Sequence, residues 1–180
     1  MANAREIRLA SDYTHLQALA RESGGTLILD SVKGDPPTEY VLTYRCRGIE
    51  AIKDGHPVYR TTHKVRIRLP ARYPSPSAPP QVEVLTPLFH PHVYPNRTVC
   101  LGVWQTSEFL DELALRLGAM LQFDRRCLNI KDPANEEAVA WAQKNLLLLP
   151  TDNRAFRGDN PTQATPMPED EDAPLGWIDI

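Results

Sequence analysis

The chain carries the segment LFHPHVYPNRTVCL at residues 88–101, where turn-forming residues lead into a cysteine between two aliphatic side chains. Pro87, Pro91 and Pro95 recur at four-residue intervals along it. Proline fixes its own φ, removes a hydrogen-bond donor and disfavours helix at the preceding residue, so we expect an irregular but stiff loop. A stiff loop can hold a side chain in one place without burying it, which makes Cys100 the candidate reactive residue.

This segment resembles the active-site loop of ubiquitin-conjugating enzymes, in which a His-Pro-Asn triplet precedes the cysteine that carries ubiquitin as a thioester. Here His90-Pro91-His92 stands in place of that triplet, and Cys100 follows His92 by eight residues, as it follows the Asn in the family. The His-Pro-His-Val-Tyr segment of this chain resembles that of a eukaryotic conjugating enzyme specialised for protein N-termini, so His in place of Asn does not imply inactivity. The resemblance implies catalytic roles for Cys100, His92 and His90. It leaves His92 either bracing the loop or stabilising the oxyanion formed when an amine attacks.

Length and composition predict one domain at residues 1–150, which the resemblance implies is catalytic, followed by an acidic, proline-rich and disordered tail at residues 151–180. An odd number of cysteines, without a signal peptide or an apolar run of roughly 18 residues, favours a cytoplasmic protein that is not membrane-bound. The net charge is -3, and the basic residues form no stripe along the sequence, so nucleic-acid binding is not expected.

The spacing of apolar residues predicts an α+β fold with one core. Strand runs alternate apolar and polar residues, as at Tyr40, Leu42, Tyr44 and Cys46, which share one face. The predicted helices lie at 3–22, 107–122 and 135–148, and Ser107 is expected to cap the second of them. The predicted strands are one that begins at residue 26 and three at 39–47, 58–69 and 81–85. This order resembles the ubiquitin-conjugating (UBC) fold: an N-terminal helix, a four-stranded antiparallel meander, an active-site cysteine loop and two C-terminal helices.

Two further segments carry the resemblance. Residues 73–80, YPSPSAPP, resemble the Tyr-Pro-x-x-Pro-Pro signature of the family with two extra residues. Asp132 stands at the distance after Cys100 where the family has an acidic residue near the cysteine. A carboxylate there would orient an incoming amine and favour its deprotonation. The alternative is a helix cap, since Asp132 or Asn135 ahead of acidic residues is also good N-terminal chemistry.

Four residues are candidates for partner binding. Arg5 and Arg8 lie on the first helix, which in the family helps to dock activating enzymes and ligases; the alternative is an ordinary solvated helix face. Trp177 and Ile178 follow an acidic run in the tail, a combination typical of docking peptides. The alternative is a solubilising tail.

The resemblance implies an enzyme that takes a ubiquitin-like modifier from an activating enzyme as a thioester on Cys100 and passes it to an amine of a target protein. The expected partners are the modifier, the activating enzyme, the protein substrate and, where one is needed, a ligase. No cofactor or metal is expected. Two alternatives remain, a non-catalytic binding module of the same fold and a zinc enzyme using His90, His92 and Cys100. By resemblance, the chain is like proteins of bacterial conjugation operons that act in antiviral defence.

Overall fold

The computed structural model describes residues 3–127, 132–152 and 154–157. Its helices and strands are α1 (Ala4–Glu22), β1 (Leu27–Gly34), β2 (Pro37–Tyr44), β3 (Gly48–Lys53), β4 (His56–Arg60), β5 (His63–Arg68), β6 (Gln81–Val84), α2 (Leu110–Leu121) and α3 (Glu136–Lys144). Short 3-10 turns at Arg125–Cys127 and Leu146–Leu148 complete the architecture. Within the described ranges, no helix has both the length and the apolar character needed to cross a bilayer.

Four strands form an antiparallel sheet in the order β1-β2-β5-β6. The alternation predicted along β2 is confirmed, because Tyr40, Leu42, Tyr44 and, just beyond the strand, Cys46 are at most 1% exposed. This face packs against the buried sides of α1 and α2 in one large apolar cluster. Each fully buried large apolar side chain contributes about 1.5–3 kcal/mol, so the sheet and the two helices form the main source of stability.

The predicted third strand at 58–69 is wrong as a single element. The chain bends at residues 61–62, and the residues on either side belong to β4 and β5. β4 pairs with β3 in a separate two-stranded hairpin that the sequence analysis missed. The turn between them uses Asp54 and Gly55, both with positive φ, and Asp-Gly is a typical hairpin turn. Ile49 of this hairpin is fully buried in a second apolar cluster with residues of the α3 region.

The helix predicted at 107–122 begins three residues later than expected, at Leu110, and Ser107 is not its cap. The buried carboxylate of Asp12 on α1 accepts the Leu110 amide at 3.0 Å, and Glu112 accepts the Phe109 amide at 2.7 Å. A side chain from another helix therefore supplies the cap, which local sequence could not reveal.

The last helix is also shorter than predicted. α3 begins after its N-cap Asn135 and ends at Lys144, and Leu146–Leu148 form a 3-10 turn. Trp141 on this helix is half-buried. Its indole donates to the Gly55 carbonyl at 3.2 Å and joins α3 to the β3–β4 hairpin.

Some residues beyond the boundary predicted at residue 150 pack on the body. Phe156 is 5% exposed and meets Tyr44 edge-on, with ring centroids 5.5 Å apart. Gln122, the C-cap of α2, exchanges two hydrogen bonds with the Arg154 backbone, at 2.6 and 3.1 Å. Residues 150–152 and 154–157 thus form a strap across α2, whereas Trp177 and Ile178 lie outside the described residues.

Candidate active site

A narrow hairpin positions Cys100. Val93 bridges Val99, and the Cys100 amide donates to the His92 carbonyl at 2.8 Å. At the tip, the Arg97 amide donates to the Tyr94 carbonyl at 2.8 Å. The predicted stiff loop is therefore built from paired backbone as well as from prolines.

This hairpin is also attached to the edge of the sheet. The Val99 amide donates to the Val82 carbonyl and the Val84 amide to the Arg97 carbonyl, both at 2.9 Å. Because β6 is part of the main sheet, the position of Cys100 is fixed relative to the core.

The three cysteines differ in access. Cys100 is half-buried, whereas Cys46 and Cys127 are each 1% exposed. Burial raises the pKa of the Cys46 thiol to about 12 and that of Cys127 to about 11. The reactive form of a cysteine is its thiolate, so both buried thiols are poor nucleophiles near neutral pH. Cys100 is the cysteine whose sulfur can meet another protein.

Tyr94 is a site residue that the sequence analysis did not select. Its ring is 43% exposed, and its side chain hydrogen-bonds to that of Cys100. Negative charge at Cys100 and then this hydrogen bond raise the pKa of the Tyr94 phenol, with a smaller contribution from Asp132. Tyr94 is therefore a protonated donor beside the cysteine. The sequence feature that could have identified Tyr94 was its place in the His-Pro-His-Val-Tyr segment, close to Cys100.

Asp132 is exposed and close enough for its charge to act on Tyr94. Of the two capping candidates, the structure uses Asn135, whose side chain accepts the Ala138 amide at 3.0 Å. The Asn135 amide also donates to the Pro91 carbonyl at 3.0 Å, which ties this segment to the cysteine loop. The predicted carboxylate thus lies on a segment joined to the cysteine loop, and its charge acts on Tyr94.

His92 is 1% exposed, and its ring hydrogen-bonds to the backbone at Cys100 and Cys127. Burial is the main cause of its lowered pKa, although these two bonds act in the opposite direction. A neutral imidazole has a single N–H donor. Backbone contacts at Cys100 in the loop and at Cys127 in the 3-10 turn after α2 therefore favour the bracing interpretation of His92 over the oxyanion interpretation.

His90 lies beneath His92 and is fully buried. Its Nδ1 accepts the His92 amide at 3.1 Å, and the two rings stack with centroids 5.6 Å apart. Its other face meets Phe123 at 4.4 Å, and burial lowers the pKa of His90 well below the usual range. His90 is thus a neutral support of the loop and does not face an incoming amine.

These contacts do not favour the zinc alternative. His90 Nδ1 is used by a backbone amide, and the His92 ring binds the backbone at two positions. Within the part of the chain that the structure describes, no group of three or more His, Cys, Asp or Glu side chains is arranged to hold a metal ion.

Arg8 points into the protein, and its guanidinium is used in internal hydrogen bonds rather than exposed on the helix surface. It donates to Asp12 at 3.0 Å, to the Tyr73 hydroxyl at 3.1 Å and to the Thr106 carbonyl at 2.7 Å, and also to the Glu108 carbonyl. Its side chain is only 13% exposed. Arg8 therefore joins α1, the proline-rich loop and the approach to α2.

Arg5 is half-buried and reaches the Pro70 carbonyl at 3.4 Å. This places it beside the proline-rich loop at the edge of α1. The structure thus places Cys100, His92 and His90 in one loop with Tyr94, on which the charge of Asp132 acts, while Arg5 lies on α1 beside the proline-rich loop.

Comparison with known proteins bears on the family of this chain. The family model for ubiquitin-conjugating enzyme matches residues 47–147, more than half of the chain. The SUMO-conjugating enzyme UBC9 of Caenorhabditis elegans is 38% identical over 79 residues, which cover 41% of this chain and 45% of that relative. The crystal structure of ubiquitin conjugating enzyme E2 UbcA1 from Agrocybe aegerita superposes with a TM-score of 0.49 at 20% identity, over 67% of this chain and 83% of that one. The family match and the order of helices and strands confirm the predicted α+β UBC fold, and the chain belongs to the ubiquitin-conjugating enzyme family.

Proposed function

We propose that the protein is a ubiquitin-like protein conjugating enzyme that carries its modifier as a thioester on Cys100. The observation that carries the proposal is the placement of one accessible thiol on a stiff hairpin, beside the Tyr94 hydroxyl and within reach of the Asp132 charge. A non-catalytic binding module of the same fold would not need this combination. The proposed catalytic unit extends through residue 157, since the strap belongs to the packed body.

Charging is an exchange between two thioesters. The Cys100 thiolate attacks the carbonyl carbon that joins the modifier's C terminus to a cysteine of the activating enzyme. A new S–C bond forms, the old one breaks, and its electron pair leaves on the activating enzyme's sulfur. Because one thioester replaces another, the step needs a reachable thiolate rather than a strong base. The half-buried position of Cys100 meets this requirement.

Discharge transfers the acyl group to an amine. The amine nitrogen attacks the thioester carbonyl, negative charge develops on its oxygen, and the C–S bond then breaks with the electron pair returning to Cys100. Tyr94 is a protonated donor at this position and can stabilise that oxygen or orient the amine. Asp132 is an exposed carboxylate that can accept the proton released by nitrogen.

In this mechanism the two histidines of the triplet support the loop. His92 holds the backbone at Cys100, and His90 holds His92 from below. Their contribution is to keep the thioester in a fixed place, because small displacements of a reacting group reduce rates strongly.

The partners follow from the same proposal. The relative named as a SUMO-conjugating enzyme supports a small ubiquitin-like protein as the modifier. An activating enzyme and, where needed, a ligase are proposed to approach over α1 and its neighbouring loops, with Arg5 as the candidate contact. Docking by Trp177 and Ile178, a cytoplasmic location and a role in bacterial antiviral defence remain predictions.

A reconstitution tests this function. The protein is incubated with ATP and either ubiquitin or SUMO, each with its own activating enzyme, and adducts are separated on non-reducing gels. We expect a thiol-sensitive adduct that Cys100→Ala abolishes and that the matched variants Cys46→Ala and Cys127→Ala retain. An adduct that persists in Cys100→Ala would refute the assignment.

A further inference from the structure

Arg116 is a buried cation on α2 that the proposed mechanism does not yet use. Its side chain is 6% exposed. Nε and Nη2 donate to the two carboxylate oxygens of Glu108 at 2.7 and 2.8 Å. Nη1 donates to the carbonyl of Leu101, the residue after Cys100, at 2.8 Å. The guanidinium therefore connects a paired carboxylate to the backbone of the cysteine loop.

Stability alone is a weak explanation for this ion pair. Removing two charges from water costs several kcal/mol per ion, and well-packed apolar side chains of similar volume often replace a buried pair without loss. The rest of α2 is nearly all buried and apolar, so an apolar side chain at Arg116 would suit the helix. What an apolar side chain cannot supply is a donor to the Leu101 carbonyl.

The bond to Leu101 completes a pair of restraints around Cys100. On one side, the Cys100 amide donates to the His92 carbonyl at 2.8 Å. On the other, Arg116 fixes the Leu101 carbonyl. With the peptide group before Cys100 and the one after Leu101 both held, the direction of the Cys100 side chain is restricted relative to Tyr94.

We propose that Arg116, oriented by Glu108, is a positioning residue that aims the Cys100 thioester at the incoming amine. The inference rests on the proposed function and adds a residue to it. Displacing a reacting group by about 1 Å can cost on the order of a hundredfold in rate. Charging at a large excess of activating enzyme reaches its endpoint even when this aim is lost, whereas discharge depends on it.

The test replaces the ion pair with apolar residues, in the double variant Arg116→Met/Glu108→Leu, so that no buried charge is left unpaired. The matched control is Arg60→Met/Glu50→Leu, which removes the 2.7 Å pair of the β3–β4 hairpin. We expect both variants to form the Cys100 thioester to the wild-type endpoint. In single-turnover discharge at saturating lysine, the Arg116 double variant should be about tenfold slower with an unchanged KM for lysine, and the control should match wild type.

Arg116→Lys supplies the rescue, because an ammonium can still donate to the Leu101 carbonyl. We expect this variant to discharge at a rate much closer to wild type than the double variant does. Wild-type discharge by the double variant, or equal slowing in Arg116→Lys, would overturn the inference.

A second readout does not depend on the proposed function. Hydrogen exchange at the Cys100 amide, measured by NMR on the uncharged protein, should be about tenfold faster in the Arg116 double variant and unchanged in the Arg60 control. Unchanged exchange in the double variant overturns the positioning role. A wild-type protein that takes up no modifier refutes the proposed function, and the exchange data then still decide whether Arg116 holds this loop.

Discussion

Gly118 and Phe156 should behave as an energetically coupled pair. An ideal Cβ on Gly118 would lie 2.5 Å from Phe156 Cε2 and 2.6 Å from Cδ2, so the strap's ring occupies the space that any larger residue would need. Both the helix and the strap are in the main apolar cluster. The two substitutions Gly118→Ala and Phe156→Ala, alone and combined, test this contact.

The effect of Gly118→Ala on the free energy of unfolding should differ in sign between the wild-type protein and the Phe156→Ala variant. Phe156→Ala should destabilise by about 3–5 kcal/mol through the lost burial and the cavity. In the wild-type background, Gly118→Ala gains about 1 kcal/mol of helix propensity but loses about 1–3 kcal/mol to overpacking. Without the Phe156 ring the overpacking disappears, so Gly118→Ala should stabilise by about 1 kcal/mol. The expected coupling energy is therefore about 1–3 kcal/mol.

Urea unfolding of the four proteins measures this cycle directly. The Phe156→Ala variant should also lower Tm by roughly 6–20 °C, at about 2–4 °C per kcal/mol for a chain of this size. Additive effects, or a cost below about 1 kcal/mol for Phe156→Ala, would refute the packed strap and restore the boundary at residue 150. Truncation after Arg157 is the matched control, since the predicted disorder of the remaining tail implies little loss of stability.

Three further predictions concern the buried His63 of β5 and the side chains around Cys100. Burial lowers the pKa of His63 from 6.5 to about 4, so below pH 6.5 the unfolded chain binds more protons than the folded one. The contribution of neutral His63 to the free energy of unfolding is fully present above pH 6.5 and is lost as pH falls toward 4, by up to about 3 kcal/mol. The urea midpoint of His63→Phe should therefore depend less steeply on pH than that of the wild type. Tyr94→Phe and Asp132→Asn should each charge normally but discharge to lysine about ten- to a hundredfold more slowly, and wild-type single-turnover rates would remove them from the site. His92→Ala should also discharge slowly and in addition lose about 1–3 kcal/mol of stability, whereas an unchanged melting curve would favour the oxyanion interpretation.

Local pattern was sufficient where a residue's neighbours in sequence are also its neighbours in space. The alternation from Tyr40 to Cys46 predicted the buried face of β2, and the proline spacing around Cys100 predicted a stiff loop. The β3–β4 hairpin was missed although its Asp54-Gly55 turn was visible, because its short strands do not alternate cleanly between buried and exposed residues.

Long-range contacts could not be predicted in this way. Asp12 caps a helix that begins 98 residues later. Arg116 reaches back 15 residues to Leu101, and nothing in the polar sequence around Phe156 indicated that its ring fills the space above Gly118. The catalytic roles expected of Cys100 and Asp132 came from the family resemblance, whereas the contact between Tyr94 and Cys100 required the fold.

The central claim is that Cys100 carries the modifier, and mapping the adduct by mass spectrometry tests it most directly. Trypsin cleavage after Arg97 and Arg116 releases residues 98–116, which contain Cys100 and neither of the other cysteines. In wild-type protein charged with ubiquitin or SUMO and kept at low pH, the remnant of the modifier's C terminus should be found on this peptide and should disappear on treatment with a thiol. A remnant on the peptide that contains Cys46 or Cys127, or one that resists thiol treatment, would contradict the account.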